Sequence, residues 1–248
     1  MALALAALIG LSLGLLGGGG STLAVPVLVY VAGLDARTAV GVSLAVVGAT
    51  SLVAAVAQAR EGRVRMRAAL LFAGAGMPAA WAGSRLTALV SGRVLLLAFG
   101  AFMMAVALVM LRPPGPHGEG TSRARAGAAV LIGSGAVVGL LTGFLGVGGG
   151  FLVVPALVLL ARLPMREAVG TSLAVIAANA TAGFIGHLDG PGLPPAVVLS
   201  FTGVSIAGAL AGTRLGRRVP AHRLQRVFAL LVLAVGSAVF AANLAAPS

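Results

Sequence analysis

Apolar residues fall into ten segments, and these form two sets of five, here called copy one and copy two with segments a to e in each. Copy one has segments 2–16, 22–33, 38–58, 68–90 and 93–111, and copy two has 127–145, 151–161, 167–187, 194–213 and 223–245. Segments c, d and e have the roughly 20 residues that a helix needs to cross a bilayer of about 30 Å. The pattern predicts an all-α fold with three full spans in each copy.

Segment b is too short for a full span in either copy. A helix of about a dozen residues covers roughly 18 Å at 1.5 Å per residue, so segment b reaches only part of the way across. A glycine-rich run precedes segment b in each copy, at 17–21 and 146–150. Each run is followed, five residues after its end, by a proline within segment b, Pro26 or Pro155. Segments a and b therefore predict a helical hairpin that is broken at the glycines.

The two copies are an internal repeat. A shift of 129 positions lays Gly10–Ala107 over Gly139–Gly236 without a gap, and RTAVGVSLAV then matches REAVGTSLAV at eight of ten positions. Such self-similarity indicates a duplicated unit. We therefore divide the chain into a first membrane repeat (1–111), a linker rich in proline, glycine and charge (112–126) and a second membrane repeat (127–248).

Composition excludes an ordinary soluble protein. Hydrophobic residues make up 59% of the chain and charged residues 9%, and the mean hydropathy is +1.10. These values are typical of a polytopic membrane protein. The formal net charge is +12, which in a soluble chain would suggest nucleic acid, but the arginines cluster between apolar segments. We expect a lipid bilayer, and no nucleic acid, as the partner of these charges.

The distribution of arginine predicts the topology. If each hairpin enters and leaves on one side, copy two is inverted relative to copy one, and 14 arginines fall on one face against 3 on the other. If segments a and b instead form one continuous span, the copies are parallel and the split is 10 to 7. The positive-inside rule favours the inverted arrangement, with the arginine-rich linker side cytoplasmic and both termini outside.

The broken hairpins are the first candidate site. An inverted repeat with interrupted segments in matching positions is typical of a secondary transporter whose substrate site lies near the midplane, between the copies. Exposed amides and helix N-termini at such breaks favour anions. The candidate binding residues are Gly19, Gly20, Ser21, Gly148, Gly149 and Gly150. The alternative is that these glycines only allow close helix packing.

Polar side chains of segment c are the second candidate. The repeat pairs Ser43 with Ser172 and Thr50 with Asn179, and the two residues of each copy are seven positions apart, on one helix face. Their side chains could donate hydrogen bonds to substrate oxygens. Alternatively, the hydroxyls bond their own helix backbone and serve packing alone.

The sequence gives little support to a thiolate metal site or to an enzyme active site. The acidic residues all lie in loops or at segment ends, and the chain has no cysteine, which excludes thiolate metal sites. Hydrolysis would need a nucleophile with a base in reach, and His187 is the histidine at the end of a span. We therefore expect a protein that is not an enzyme and has no catalytic residues.

The motifs resemble those of the TauE/SafE family of sulfite and organosulfonate transporters, over nearly the whole chain. The resemblance rests on GFLGVGGGFLVVP (143–155), the related GLLGGGGSTLAVP (14–26), AVGVSLA and AVGTSLA, and the GxRL ends of segment d. Ser21 stands where the pattern has its last glycine.

This resemblance implies a multi-pass carrier in the cytoplasmic membrane that moves small sulfur-containing oxyanions by alternating access, without a cofactor or metal. An anion channel, or a carrier for a different small organic anion, is the alternative. The oligomeric state stays open, with a homo-oligomer among the options.

Overall fold

A computed structural model of the chain describes residues 2–87, 92–111, 127–145, 150–185 and 194–245. All regular elements within these ranges are α-helices. They are α1 (Ala2–Leu16), α2 (Ser21–Tyr30), α3 (Ala36–Arg60), α4 (Met66–Thr87), α5 (Gly92–Leu111), α6 (Ala128–Leu145), α7 (Gly150–Leu159), α8 (Met165–Ile185), α9 (Pro195–Arg218) and α10 (Ala221–Ala245).

The helices confirm the ten predicted segments, with α1–α5 in copy one and α6–α10 in copy two. The short segments b are α2 and α7, with 10 residues each, or about 15 Å of helix. The break in copy one begins at Gly17, whose φ of +77° is a backbone conformation that glycine adopts without steric cost. The corresponding break at 146–149 and the linker at 112–126 lie outside the described residues.

Four helices are long and apolar enough to cross a bilayer, judged by length and composition over the described residues. They are Thr38–Arg60, Met165–Ile185, Pro195–Arg218 and Ala221–Leu244. Helices α4 and α5, with 22 and 20 residues, do not meet the same criterion over the described residues. Their crossing of the membrane stays a prediction.

Glycines bring helices of different copies into backbone contact. A Cβ atom on Gly139 of α6 would collide with the backbone of Gly76 in α4, and one on Gly10 of α1 would collide with the backbone of Ser205 in α9. The repeat pairs Gly10 with Gly139 and Gly76 with Ser205, so the same contact occurs twice. Such close approach is how helices associate in membranes, where small residues allow extensive van der Waals packing.

Equivalent helices of the two copies pack against each other in opposite directions. In the α3–α8 pair, a Cβ on Gly183 would lie 3.2 Å from Leu44 Cδ2, whereas a Cβ on Gly170 would lie 3.3 Å from Gln58 Cβ. Residue numbers therefore rise along α3 as they fall along α8. The α5–α10 pair is also antiparallel, because Gly100 packs against Phe240 whereas Gln225 donates to the Met110 carbonyl over 2.8 Å.

The largest cluster of buried apolar side chains is shared by both copies. It contains residues of α4 and α5 from copy one and of α7, α8 and α10 from copy two. Within it, the rings of Phe99 and Phe151 meet edge to face, with centroids 5.3 Å apart. The core of the molecule thus lies between the copies.

Candidate functional site

The first residues of α2 and α7 meet at the glycine break of copy one. A Cβ on Gly18 would collide with the carbonyl oxygen of Gly150, and a Cβ on Gly150 would collide with Ser21 Oγ. Ser21 and Gly150 are equivalent in the repeat, and each begins its short helix. The positive ends of two helix dipoles therefore converge at one point between the copies.

Close packing surrounds the predicted glycines of copy one. A Cβ on Gly20 would collide with the Ile9 carbonyl in α1, whereas a Cβ on Gly19 would make an ordinary contact of 3.4 Å with Leu231 of α10. The Ser21 hydroxyl donates to the Gly18 carbonyl over 2.8 Å. The packing role that the sequence left as an alternative thus accounts for the absence of side chains at Gly18 and Gly20. Gly148 and Gly149 lie outside the described residues.

Ser172 fixes the break of the opposite copy. Its buried hydroxyl lies 2.8 Å from the carbonyl oxygens of both Gly17 and Val169. A side chain on Gly17 would meet Ser172 Oγ at 2.5 Å, so this contact and the positive φ both favour glycine there. A polar residue of α8 in copy two therefore holds the hairpin of copy one.

Ser43 and Ser172 do not share one site. The Ser43 hydroxyl donates to Val40 of its own helix over 2.8 Å. Ser43 adjoins the end of α3 that packs against Gly183, and Ser172 adjoins the end of α8 that packs against Gln58. These two ends of α3, at Leu44 and Gln58, are about 21 Å apart along a helix with a rise of 1.5 Å per residue.

Thr50 and Asn179 lie where α3 and α8 cross. A Cβ on Gly48 would be 3.3 Å from Ala180 Cβ, which places the neighbouring Thr50 and Asn179 near the midpoint of the pair. Thr50 is buried whereas Asn179 is exposed. The two polar positions that the repeat pairs therefore lie at a similar level of the helix pair.

Two hydroxyls at this crossing are buried without a partner. Thr50 and Ser51 are both 0% exposed, and neither hydroxyl oxygen has a hydrogen-bond partner among the described residues. Most other serine and threonine hydroxyls in the described helices donate to a carbonyl, for example Thr181 to Ala177 over 2.8 Å. An unpaired buried hydroxyl is costly and calls for an explanation.

An apolar cluster links the part of α3 before Ser51 to the junction of the short helices. Val47, one turn before Ser51 on α3, shares an apolar cluster with Ile176 of α8. A Cβ on Gly150 would lie 3.2 Å from Ile176 Cδ1. Ser51 is therefore one helical turn from a residue of the apolar cluster that reaches the junction through Ile176. The internal repeat does not mark Ser51 as a candidate binding residue, because its equivalent in copy two is Ala180, which is not polar.

Ion pairs join the copies at the arginine-rich end. Arg65 binds Glu167 through two hydrogen bonds of 2.8 and 2.7 Å, and its backbone N–H donates to Thr171 Oγ1 over 3.1 Å. The hydrogen bonds to Glu167 and its negative charge raise the pKa of the Arg65 guanidinium, which stays charged. Glu61 bridges Arg63 and Arg217 at 2.9 and 3.0 Å. The α3–α4 loop, the start of α8 and the end of α9 thus lie at one end of the molecule.

A very small cavity separates these ion pairs from the glycine break. Its volume is about 10 Å³, which is room for about one water molecule. Gln58, Arg63 and Arg166 supply its polar lining, and Gly14 and Val169 border it towards the break. The cavity is therefore too small to hold an oxyanion.

Metal binding has no support in the described ranges. They contain no group of three or more histidine, cysteine, aspartate or glutamate side chains that could hold an ion. His187 and Asp189 lie outside the residues that the structure describes. What the described site offers to a ligand is helix N-termini and hydroxyls.

Comparison with known proteins matches the sequence of the chain to a family of membrane transporters. Residues 2–239 match the family model described as "Sulfite exporter TauE/SafE". A probable membrane transporter protein of Xylella fastidiosa (strain 9a5c) is 37% identical over 233 residues, which cover 92% of this chain and 89% of the relative. The probable membrane transporter protein YdhB of Bacillus subtilis (strain 168) is 26% identical over 219 residues, with 86% and 88% covered. No solved structure matches the chain.

Proposed function

Because the chain belongs to the sulfite exporter TauE/SafE family, we propose that it is a secondary transporter of small sulfur-containing oxyanions, such as sulfite and sulfonates, in the cytoplasmic membrane. The relatives carry the name of probable membrane transporters, which supports transport and leaves the substrate open. The family description supports sulfite. The chemistry of the site supports an anion.

The observation that carries the proposal is the meeting of α2 and α7 at Ser21 and Gly150. Each helix N-terminus is equivalent to roughly half a positive charge. Two of them offset about one negative charge, without an arginine in the middle of any described helix. This balance favours a monoanion such as bisulfite or a sulfonate over the dianion sulfate, because fixed dipoles compensate one unit of charge more readily than two.

Hydroxyls complete the proposed site. Thr50 and Ser51 are buried in α3 with unused donors, and Ser21 lies at the helix junction. We assign the backbone amides of Gly148, Gly149 and Gly150 the same role in copy two, namely donation of hydrogen bonds to the anion. A bound oxyanion would accept the hydrogen bonds that Thr50 and Ser51 lack, and so recover part of the roughly 1–3 kcal/mol that each unpaired group costs.

We further propose that the two copies have inverted topology and exchange access to this site. The antiparallel packing of α3 with α8 and of α5 with α10 supports a two-fold axis in the membrane plane. The clustered arginines support a cytoplasmic location for that end, with both termini outside. The ion pairs of Arg65 and Glu61 then close the cytoplasmic side, and their release would open it.

A flux assay on purified protein in liposomes tests the function. With bisulfite at mildly acid pH, a sulfonate, sulfate and a carboxylate as substrates, we expect saturable uptake and counterflow for the sulfur monoanions and weaker uptake of sulfate. Flux that neither saturates nor exchanges would indicate a channel. Faster transport of sulfate would mean that a full positive charge enters the site, and the dipole-based site would be wrong.

A pair of glycine variants ties this flux to the helix junction. Gly18→Ala places a methyl group against the Gly150 carbonyl and forces the two N-termini apart, so we expect transport to fall at least tenfold. Gly74→Ala is the matched control, because a Cβ there has no neighbour within 4 Å. Equal transport by both variants, at equal amounts of folded protein, would place the site elsewhere.

A further inference from the structure

An apolar groove runs along the outside of the α3–α8 pair. Its volume is about 590 Å³. The lining residues are Leu52, Ala55, Val56, Ala59, Val64, Met66, Ala174, Ala177, Ala178, Thr181, Ala182 and Ile185. The one hydroxyl among them, on Thr181, donates to its own helix at Ala177 over 2.8 Å. The groove offers a ligand almost nothing but apolar contact.

The dimensions of the groove suit a lipid chain. On α8 it extends from Ala174 to Ile185, about 17 Å at 1.5 Å per residue. One leaflet of a bilayer is about 15 Å deep, half of a hydrocarbon core of about 30 Å. Alanines form half of the lining, and their small side chains leave the space that larger residues would fill.

Unpaired arginines border one end of the groove. Ala59, Val64 and Met66 line that end, and their exposed sequence neighbours are Arg60 and Arg67. Neither takes part in the ion pairs of the described residues, which engage Arg63, Arg65 and Arg217 instead. Two exposed arginines without an ion pair therefore adjoin, in sequence, the residues that line this end of the groove.

We propose that this groove binds one anionic phospholipid, with an acyl chain between α3 and α8 and the phosphate on Arg60 and Arg67. Basic side chains at the membrane surface attract anionic headgroups. A second copy of the chain fits the groove less well. The formal net charge is +12, and Glu61 and Glu167, the acids described at this end, are already paired, so a second copy would bring further positive charge.

Native mass spectrometry of the delipidated, detergent-purified protein tests the proposal by titration with phosphatidylglycerol and phosphatidylcholine of identical acyl chains. We expect phosphatidylglycerol to bind more tightly. The double variant Arg60→Gln/Arg67→Gln should weaken phosphatidylglycerol binding roughly thirty-fold, to the level of phosphatidylcholine. The control Arg223→Gln/Arg226→Gln removes two exposed arginines from α10 and should leave binding unchanged.

A groove-filling variant separates the acyl chain from the headgroup. Ala178→Phe/Ala182→Phe should abolish retention of both lipids while the protein stays folded. Equal binding of phosphatidylglycerol by the wild type and the Arg60/Arg67 variant would overturn the proposal. So would glycerol phosphate that competes as well as the intact lipid, which would indicate a site for free phosphate. A groove-filling variant that changes the number of chains per particle instead would show that the groove seats a second copy.

Discussion

At the scale of single residues, the Ser172 hydroxyl is the contact that joins α8 to the glycine break of the other copy. Its two acceptors, the Gly17 and Val169 carbonyls, belong to different copies. Loss of such a neutral hydrogen bond costs about 0.5–1.5 kcal/mol. The break would then be free to shift against α8.

We expect Ser172→Ala to weaken binding of a sulfonate several-fold, because the helix N-termini lose their fixed position. Isothermal titration of detergent-solubilised protein measures this. Ser134→Ala is the control, since the Ser134 hydroxyl is also buried but donates only to Leu131 of its own helix. If the two variants bind alike, the bond to Gly17 does not position the site.

A second prediction at this scale concerns Ser51, and it has two parts of opposite sign. Replacing an unpaired buried hydroxyl with hydrogen removes a desolvation cost, so Ser51→Ala should raise the free energy of unfolding by about 1 kcal/mol. The same change removes a donor from the proposed site and should lower anion affinity. Thermal unfolding and ligand titration on one preparation measure both. A stability gain with unchanged affinity would assign Ser51 to packing alone.

At the scale of elements, glycine contacts decide which helices pair. A Cβ on Gly139 would collide with Gly76, whereas a Cβ on Gly133 of the same helix has no neighbour within 4 Å. Gly139→Ala should therefore force α6 from α4 and destabilise the protein by about 1–3 kcal/mol, and Gly133→Ala should not. Midpoints of thermal unfolding in detergent compare the two. Equal midpoints would show that α4 and α6 are not held by this contact.

The elements themselves follow from the sequence, but their pairing does not. Segment length and the glycine runs predicted ten helices and the short α2 and α7, because these properties are local. The repeat pairs Gly139 with Gly10, but the helix that Gly139 contacts is seen only in the structure. The shared helical face of Ser43 and Thr50 and the opposite directions of the two copies could be predicted. The register of α3 against α8, which separates Ser43 from Ser172, could not.

The residues of the candidate site could also be predicted only in part from the sequence. The repeat directed attention to residues with a polar equivalent, such as Thr50 and Asn179. Ser51 has Ala180 as its equivalent, and its importance comes from burial without a partner, which only three-dimensional packing reveals. Ser172 was predicted as a substrate donor, and its hydroxyl lies within bonding distance of the Gly17 carbonyl.

At the scale of the whole molecule, the orientation in the membrane remains a prediction that labelling can test. The native chain has no cysteine, so single introduced cysteines are specific reporters. In intact cells we expect Gly190→Cys to react with a membrane-impermeant maleimide, and His222→Cys, at the arginine-rich end, to react only after the membrane is opened. The reverse pattern would overturn the inverted arrangement with external termini.

The packing of α1 on α9, of α6 on α4 and of α5 on α10 has a consequence for biosynthesis. The ribosome synthesises copy one first. Its glycine-rich helix faces are then exposed to lipid until the helices of copy two have been made. Copy one is therefore half of a fold and should be open to membrane proteases when expressed alone. Two half-genes divided between residues 112 and 126 should yield stable protein only when they are translated in the same cell.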